Sequence, residues 1–224
     1  MERDAFLSRV RRSLGRTDEG IAPFDGHGAP DFYRTAPLGE AGGDRVARFV
    51  AEVEGVGGRV LRVSTAADAG DALRSLIGDG RSVMAWDRSE FDGWEVDWLW
   101  DEGHVAVDGC SSLPPSVSGG STLSGVGVGF GLTTVDSAVA NTGTLVLSVS
   151  TGRPRSVSLV VGTHVALVRV DQVVDRLGEA FARYHGPMPS GVYCITGPSR
   201  SADIENDLTI GVHGPSALVV ILMG

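Results

Sequence analysis

The chain has 224 residues, of which 42% are apolar and 21% are charged, and its formal net charge at pH 7 is −9. This length and composition are typical of a globular protein with a core of its own. The negative charge argues against binding to a nucleic acid backbone. All 19 basic residues are arginine, which excludes a Schiff-base lysine and a phosphate-loop lysine.

The first 43 residues are predicted to form an arm. Apolar side chains at helical spacing predict a short amphipathic helix over residues 1–15, and the residues rich in proline and glycine at 16–43 predict a linker. No stretch is apolar over the length of a signal peptide core or a membrane span. We therefore expect a cytoplasmic protein whose α/β domain occupies residues 44–224.

Helices and strands are predicted to alternate after residue 44. The periodicity predicts, in order, a helix at 46–53, a strand at Arg59–Val63, a helix at Ala66–Ile77 and a strand at 82–86. This alternation is typical of a mostly parallel sheet flanked by helices. Three of the four tryptophans follow, within residues 87–103. They fit an edge of the core or a subunit contact better than a binding platform.

The second half is richer in predicted strands. Runs rich in β-branched residues predict strands at Thr144–Val149, 157–161, 165–170, 192–196 and Ala217–Met223, and residues 171–184 are predicted to form a helix. Glycines at every second position over 125–131 depart from the spacing of a dinucleotide-binding loop. They place bare backbone on one strand face, where either another backbone or a ligand can approach.

The first candidate site lies at Asn141-Thr142-Gly143-Thr144, between a predicted short helix and a strand. Asp136 is expected to cap that helix. The hydroxyls of Thr142 and Thr144 flank a glycine, and together with free amides at the strand start they could bind a carboxylate or a phosphate. A purely structural turn fits the same residues equally well.

The second candidate site follows a predicted strand end at Thr196. Gly197-Pro198 predicts a turn, and Ser199 or Ser201 is expected to cap a short helix. Arg200 beside the amides of that helix start would bind an anion. Ligands of parallel sheets bind where strands end, which favours this location. The structural alternative is a helix cap with a surface pair of Asp203 and Arg200.

The third candidate is His213-Gly214, in a glycine-rich loop before the last strand. A histidine there could donate a proton or bind a carboxylate, or it could make a structural hydrogen bond. The five histidines form no close pair, and Cys110 and Cys194 lack a ligand spacing. We therefore expect neither a metal nor a cofactor, and the nucleophile elbow Gly-x-Ser-x-Gly is absent.

Three segments together resemble a known family: GLTTVDSAVANTGTLVLS (131–148), ITGPSRSADIEN (195–206) and LTIGVHGPSALVVILM (208–223). They are similar to the LUD domain of the lactate utilization protein C family, over residues 45–223. The resemblance implies an α/β fold like that of ribose-5-phosphate isomerase, glucosamine-phosphate deaminase and CoA transferases. One departure is Asn141, because family members usually carry an acidic residue there.

The resemblance also implies a function. It places the chain in a three-protein cytoplasmic system that oxidises L-lactate to pyruvate, in which partner subunits carry the iron–sulfur motifs. The chain would bind those partners and a small carboxylate or phosphate-bearing ligand, with no catalytic residue assigned. The candidate ligand-binding residues are Thr142, Gly143, Thr144, Ser199, Arg200, Ser201, Asp203, His213 and Gly214.

Two other functions remain open at this point. One is a stand-alone enzyme for a sugar-phosphate or CoA-ester substrate, with Asp203, Glu205 or His213 as the acid or base. Asp203 and Glu205 would point to different faces of a helix, so they would not act as a pair. The other is a binding module that contacts proteins through the N-terminal helix and the tryptophan-rich segment.

Overall fold

A computed structural model describes residues 8–9, 44–79, 81–107, 129–184, 189–202, 208–210 and 214–224. Most of the predicted arm at 1–43 and most of the glycine-rich segment lie outside these described residues, so those expectations stay predictions. The chain from Gly42 to Gly224 forms one compact unit.

The first half of this unit follows the predicted alternation. In chain order it contains α1 (Arg45–Gly55), β1 (Arg59–Val63), α2 (Ala66–Ile77), β2 (Val83–Ala85), a 3₁₀ turn (Arg88–Phe91), α3 (Trp98–Asp101) and β3 (Val105–Val107). Both long helices have local start signals. The Asp44 carboxylate accepts hydrogen bonds from the first turn of α1, and Thr65 forms a capping box with Asp68 at α2.

The second half contains more strands than helices. In chain order it has β4 (Phe130–Thr133), β5 (Ser137–Val139), β6 (Thr144–Val149), α4 (Ser156–Leu159), β7 (Thr163–Arg169), a 3₁₀ turn (Val170–Gln172), β8 (Val173–Val174), α5 (Leu177–Phe181), β9 (Gly191–Thr196), β10 (Arg200–Ala202), β11 (Leu208–Ile210) and β12 (Ala217–Met223).

The central layer is a six-stranded sheet in the order β1-β12-β7-β4-β2-β3. Every neighbouring pair in it is parallel. The middle residues of β7 and β12 are buried without alternation, as expected for strands that are covered on both faces. The predicted α/β class with a parallel sheet flanked by helices is therefore confirmed.

A second, four-stranded sheet has the order β8-β5-β6-β9, and β6 runs antiparallel to both of its neighbours. Leu145 and Leu147 on one face of β6 join the main core. Val146 on the opposite face joins a smaller cluster that includes Ala180 of α5. The second sheet thus lies between the main core and the smaller cluster. Strands β10 and β11 form a separate antiparallel pair.

The tryptophans lie at the edge of the core, as the sequence predicts. Trp94 is 2% exposed and belongs to the main core. Trp98 and Trp100 are partly buried against that core, and the Arg74 guanidinium carbon lies 3.9 Å from the centre of the Trp98 ring. Their apolar rings therefore have intramolecular partners.

The predicted strand at 157–161 is wrong, because its first residues belong to α4. Val157 lies inside α4, and both it and Val161, just after the helix, are buried. The carbonyl oxygen of Val157 lies only 1.8 Å from where a Cβ on Gly131 would be. Gly131 belongs to the run with glycine at every second position. Because it lacks a side chain, the backbone of α4 can approach it closely.

The predicted helix at 171–184 is also wrong over most of its length. Val173 and Val174 form β8 and pair with β5, so only the short helix α5 remains. Asp136 caps no helix, because the residues after it form β5. Pairing between strands distant in sequence overrides the local helical pattern at both places.

The contact between α4 and Gly131 yields a prediction. Gly131→Ala would drive a methyl group into the Val157 carbonyl, and we expect it to lower the free energy of unfolding by about 3 kcal/mol or more. The measurement is urea denaturation followed by circular dichroism. Gly178→Ala is the matched control, because nothing lies within 4 Å of a Cβ at that helical position. Equal stability of the two variants would contradict the prediction.

Candidate functional site

A cavity of about 300 Å³ lies between the two sheets and two loops of the second half. One wall is β9 with the turn that follows it, another is the end of α4, and the loop before β12 closes a third side. The described lining residues are Ser158, Leu159, His164, Cys194, Ile195, Thr196, Gly197, Pro198, Ser199, Arg200, Gly214, Pro215 and Leu218.

The two loops are fixed to each other and to α1. The backbone N–H of Ser199 donates to the Pro215 carbonyl at 2.9 Å. Gly197 has φ +73°, and a Cβ there would lie 2.7 Å from the Val56 carbonyl oxygen. A Cβ on Gly214 would lie 3.1 Å from the Ser199 Cβ. Small residues therefore let three chain segments meet around the cavity.

Arg200 supplies the positive charge of the cavity wall. Its Nη2 donates to the carbonyl oxygen of Val56, the residue that caps the C-terminus of α1. This contact holds the guanidinium next to the negative end of the helix dipole. A guanidinium has five N–H donors, so one contact with Val56 leaves donors for a carboxylate or phosphate.

His164 forms part of the cavity floor and is only 1% exposed. Its Nε2 lies 2.9 Å from the Thr133 hydroxyl, whereas its Nδ1 has no hydrogen-bond partner among the described residues. Burial lowers the pKa of His164 from 6.5 to about 3, so the imidazole is neutral at pH 7. The sequence analysis missed this residue. The sequence feature that could have identified His164 is a polar side chain within the apolar run that forms β7.

The remaining floor and walls are largely apolar. Leu159, Ile195 and Leu218 line the cavity, and the Ser158 hydroxyl is already engaged by the Arg155 carbonyl at 3.1 Å. Burial raises the pKa of the Cys194 thiol, so the thiol is protonated at neutral pH. The cavity therefore combines one cationic group and one neutral imidazole with an apolar lining, as binding sites for small organic molecules do.

The cavity lies at a different edge of the parallel sheet from the one expected. His164 and Leu218 stand at the amino ends of β7 and β12. The expectation of a site beyond the carboxyl ends of the parallel strands is therefore wrong for this cavity. The reason is that β9, which ends at Thr196, belongs to the second sheet, where it runs antiparallel to β6.

The predicted short helix after Gly197-Pro198 is also wrong. Arg200 begins β10 and pairs with Ile210 of β11, so neither Ser199 nor Ser201 caps a helix and no helical amides face an anion. Ser199, Arg200 and Gly214 nevertheless line one cavity, and their assignment to a ligand-binding site stays a prediction. Asp203 and His213 lie outside the described residues, so their assignment to the site stays a prediction.

Thr142, Gly143 and Thr144 do not line this cavity. Gly143 has φ +62°, and a Cβ there would lie 2.6 Å from the backbone nitrogen of Val53 in α1. The turn is thus packed directly on a helix, which removes the space for an anion over Gly143. A chain of hydroxyls connects the turn to the cavity strand, from Thr142 to Thr144 at 2.7 Å and from Thr144 to Thr196 at 2.8 Å.

Asn141 also faces α1 and not the cavity. Nη1 of Arg48 donates to the Asn141 side-chain oxygen at 2.8 Å and to Asp175 at 3.0 Å. An acidic residue at position 141 would meet the same guanidinium and form an ion pair with it. In this chain, position 141 therefore serves the packing of the turn on α1.

A separate group of charges lies beyond the carboxyl ends of β2 and β4. Arg153 binds Glu90 at 2.7 Å and Asp136 at 2.7 Å, and the Tyr184 hydroxyl donates to Asp136 at 2.8 Å. Burial and the Asp136 contact raise the pKa of Tyr184, so it remains a donor at neutral pH. These side chains are hydrogen-bonded to one another, and Asp136 is the ion-pair partner of Arg153.

Among the described residues, no group of three or more His, Cys, Asp or Glu side chains is arranged to hold a metal ion. None of the helices in the described part of the chain has the length and apolar character needed to cross a bilayer.

Comparison with known proteins places the chain in a family. A family model described as the LUD domain matches residues 46–223. The chain belongs to the LUD domain family. This confirms the family that the three sequence segments resemble, over nearly the same residues.

Relatives of this LUD domain protein match it along most of its length. The chain is 30% identical to a "Lactate utilization protein C" of Shouchella clausii, over 95% of this chain and 93% of that protein. It is 27% identical to a protein of the same name from a Geobacillus species, over 99% of this chain and 95% of that protein.

A solved structure shares the fold. The crystal structure of a DUF162 family protein from Deinococcus radiodurans matches with a TM-score of 0.54 and 24% identity, over 80% of this chain and 96% of that chain. The likeness supports the architecture described above, since fold is retained at identities that no longer specify a function.

The buried imidazole yields a pH prediction. The pKa of His164 is 6.5 in the unfolded chain and about 3 in the folded chain. Between pH 6.5 and pH 3, the imidazole therefore takes up a proton in the unfolded chain and stays neutral in the folded chain. Its contribution to stability is complete above pH 6.5 and is lost as the pH falls towards 3. From pH 7 to pH 5 we expect a loss of about 2 kcal/mol.

The measurement is urea denaturation at pH 7 and pH 5 for the wild type and for His164→Gln. The variant carries a neutral amide in place of the imidazole, so its stability should fall by about 2 kcal/mol less over this interval. The same pH dependence in both proteins would show that His164 is protonated in the folded state or is not buried.

Proposed function

We propose that this LUD domain protein is a subunit of a system that oxidises L-lactate to pyruvate, and that its cavity binds a small organic anion. The observation that carries this proposal is its similarity to proteins named "Lactate utilization protein C" over more than nine-tenths of their length. A match from end to end supports transfer of the role more strongly than a match of one segment.

The subunit acts beside iron–sulfur partners. Oxidation of lactate to pyruvate releases two electrons and two protons, which a redox centre has to accept. The chain has two cysteines, Cys110 and Cys194, too few to ligate a four-thiolate cluster within one subunit. Electron transfer through clusters on partner subunits therefore fits this sequence.

The residues that line the cavity support binding of an anion. Arg200 lies in the wall with donors to spare, next to the hydroxyl-bearing Ser199. Leu159, Ile195 and Leu218 give the lining an apolar part for the carbon chain of such a ligand. A short carboxylate such as L-lactate or pyruvate fits within about 300 Å³.

The role of Arg200 can be tested by isothermal titration with L-lactate and with pyruvate. A hydrogen bond to a charged group contributes about 1.5–3 kcal/mol, so Arg200→Gln should weaken binding of these acids at least about tenfold. Arg74→Gln is the matched control, because it removes the same charge at an exposed ion pair with Glu102. Equal affinity of the wild type and Arg200→Gln would count against this anion site.

The role as a subunit can be tested by affinity purification of the full chain from its own cells grown on L-lactate. We expect near-equal amounts of co-purifying proteins that contain bound iron, and none of them from cells in which the tag alone is expressed. Deletion of the gene should abolish growth on L-lactate.

Two results would contradict the proposal: recovery of the chain alone, and unchanged growth of the deletion strain on L-lactate. A stand-alone enzyme would then be the better hypothesis. Turnover of sugar phosphates or acyl-CoA esters by the purified protein would identify it.

A further inference from the structure

Strand β9 is an edge of the second sheet. It pairs with β6 along its whole length, Gly191–Thr196, and it ends the strand order β8-β5-β6-β9. About half of the backbone N–H and C=O groups of an edge strand point away from its one neighbour. Within the described residues, β9 makes no backbone hydrogen bond besides those to β6. Its outward groups are therefore open to a further strand.

The other edges of the two larger sheets are protected, whereas β9 is not. Short strands and charged side chains keep the edges of a sheet from pairing with other chains. β8 has two residues and β3 has three, while β1 exposes Arg59 and Arg62. By contrast, β9 has six residues, its sequence GVYCIT holds no charge and no proline, and its register with β6 is continuous. An edge of this kind is suited to the addition of a strand.

The charge beside β9 indicates the chemistry of that strand. Arg155 is exposed, and it is close to the middle of β9, because the Ser158 hydroxyl lies 3.1 Å from the Arg155 carbonyl and 3.2 Å from the Tyr193 hydroxyl. Burial raises the pKa of Tyr193, and the positive charge of Arg155 acts against this rise. Among the described residues, Arg155 forms no ion pair with a carboxylate. The described residues 189–202 contain no Asp or Glu.

We propose that β9 binds an extended, acidic segment of a partner protein, which joins the second sheet as an additional strand. Backbone hydrogen bonds along β9 supply the affinity, and a carboxylate of the segment pairs with Arg155. Arg200 is left for the ligand of the cavity. This inference rests on the proposed function, because the partner is a subunit of the same lactate-oxidising system.

The surroundings of the edge fit such a segment. Leu159 is 40% exposed and lines the cavity together with Cys194 and Ile195 of β9, so an apolar side chain of the segment would cover it. Because the end of β9 borders the cavity, the partner would lie next to the bound ligand.

A second copy of this chain fits the edge less well. Each copy has a net charge of −9, so two copies repel each other at long range. In a symmetric pair of β9 strands, each copy would bring Arg155 and no carboxylate of the described strand. A partner with Asp or Glu in its segment supplies the charge that a second copy lacks.

The first experiment is hydrogen exchange, followed by mass spectrometry, on the free chain and on its complex with the iron-containing partners. In the free chain, the amides of β9 that face β6 should exchange slowly and the outward ones quickly. In the complex, we expect the outward amides to exchange at least about tenfold more slowly. β1 is the internal control, because its exposed arginines oppose strand addition and its exchange should stay the same.

Three results overturn the inference. Unchanged exchange of β9 in a complex that does form shows that the partner binds elsewhere. Slow exchange of the outward amides in the free chain at every protein concentration shows that another segment of this chain covers β9. Slow exchange that appears only as the concentration of the free chain rises shows that a second copy covers it.

Failure of the proposed function gives a different result. If no iron-containing protein binds the chain, the subunit role fails and the inference falls with it. A complex in which β9 still exchanges quickly leaves the subunit role intact and overturns the inference alone.

Charge reversal tests the acidic character of the segment. Arg155→Glu places a carboxylate beside β9 that repels an acidic strand, so we expect the amount of co-purified partner to fall at least about tenfold. Arg59→Glu is the matched control, because it makes the same change on the exposed edge strand β1 and should leave that amount unchanged. Equal recovery of the partner with Arg155→Glu and with the wild type overturns the inference. Thermal unfolding of both variants shows whether each is folded.

Discussion

The close contact between α4 and the backbone of Gly131 is the constraint on which the rest of the site depends. Because Gly131 has no side chain, the Val157 carbonyl can lie where a Cβ would stand, and α4 packs directly on the central sheet. Gly131 is also the register partner of His164 on β7. The imidazole of His164 reaches along the sheet to Thr133. Gly131 thus fixes the position of α4 in the cavity wall and lies beside the residue that forms the floor.

The C-terminal end of α1 organises the surroundings of the site. Gly143 packs against Glu52 and Val53, and Gly197 packs against Val56. The two candidate segments around Gly143 and Gly197 therefore lie next to one helix. Packing on that helix explains the glycine in each segment without a shared ligand. Only the second segment reaches the cavity, where Arg200 is held by the Val56 carbonyl. A motif with anion-binding chemistry and a motif that serves packing can look alike in sequence, since both need small residues and hydroxyls.

The parts of the fold with local signals were predictable from the sequence. The bounds of α2, β1, β6 and β12 agree with the structure, because caps and hydrophobic periodicity are properties of neighbouring residues. By contrast, Val157 in α4 and Val160 and Val161 after it have a high β propensity, and the sequence of β10 is typical of a helix start. Packing on Gly131 decides α4, and pairing with β11 decides β10. The same distinction applies to the cavity: Ser199, Arg200 and Gly214 were singled out by local sequence signals, whereas His164 lines the cavity through strands that only the fold brings together.

The distribution of satisfied and unsatisfied polar groups argues for the amino edge of the sheet as the binding side. Beyond the carboxyl ends of β2 and β4, Arg153 is paired with Glu90 and Asp136, and Tyr184 completes the network. A ligand there would have to displace strong internal bonds. At the cavity, Arg200 makes one contact with the Val56 carbonyl and has donors to spare. A bound anion there would add hydrogen bonds without breaking internal ones, which favours that side. Location in a parallel sheet is a fold-level analogy and decides less than the state of these groups.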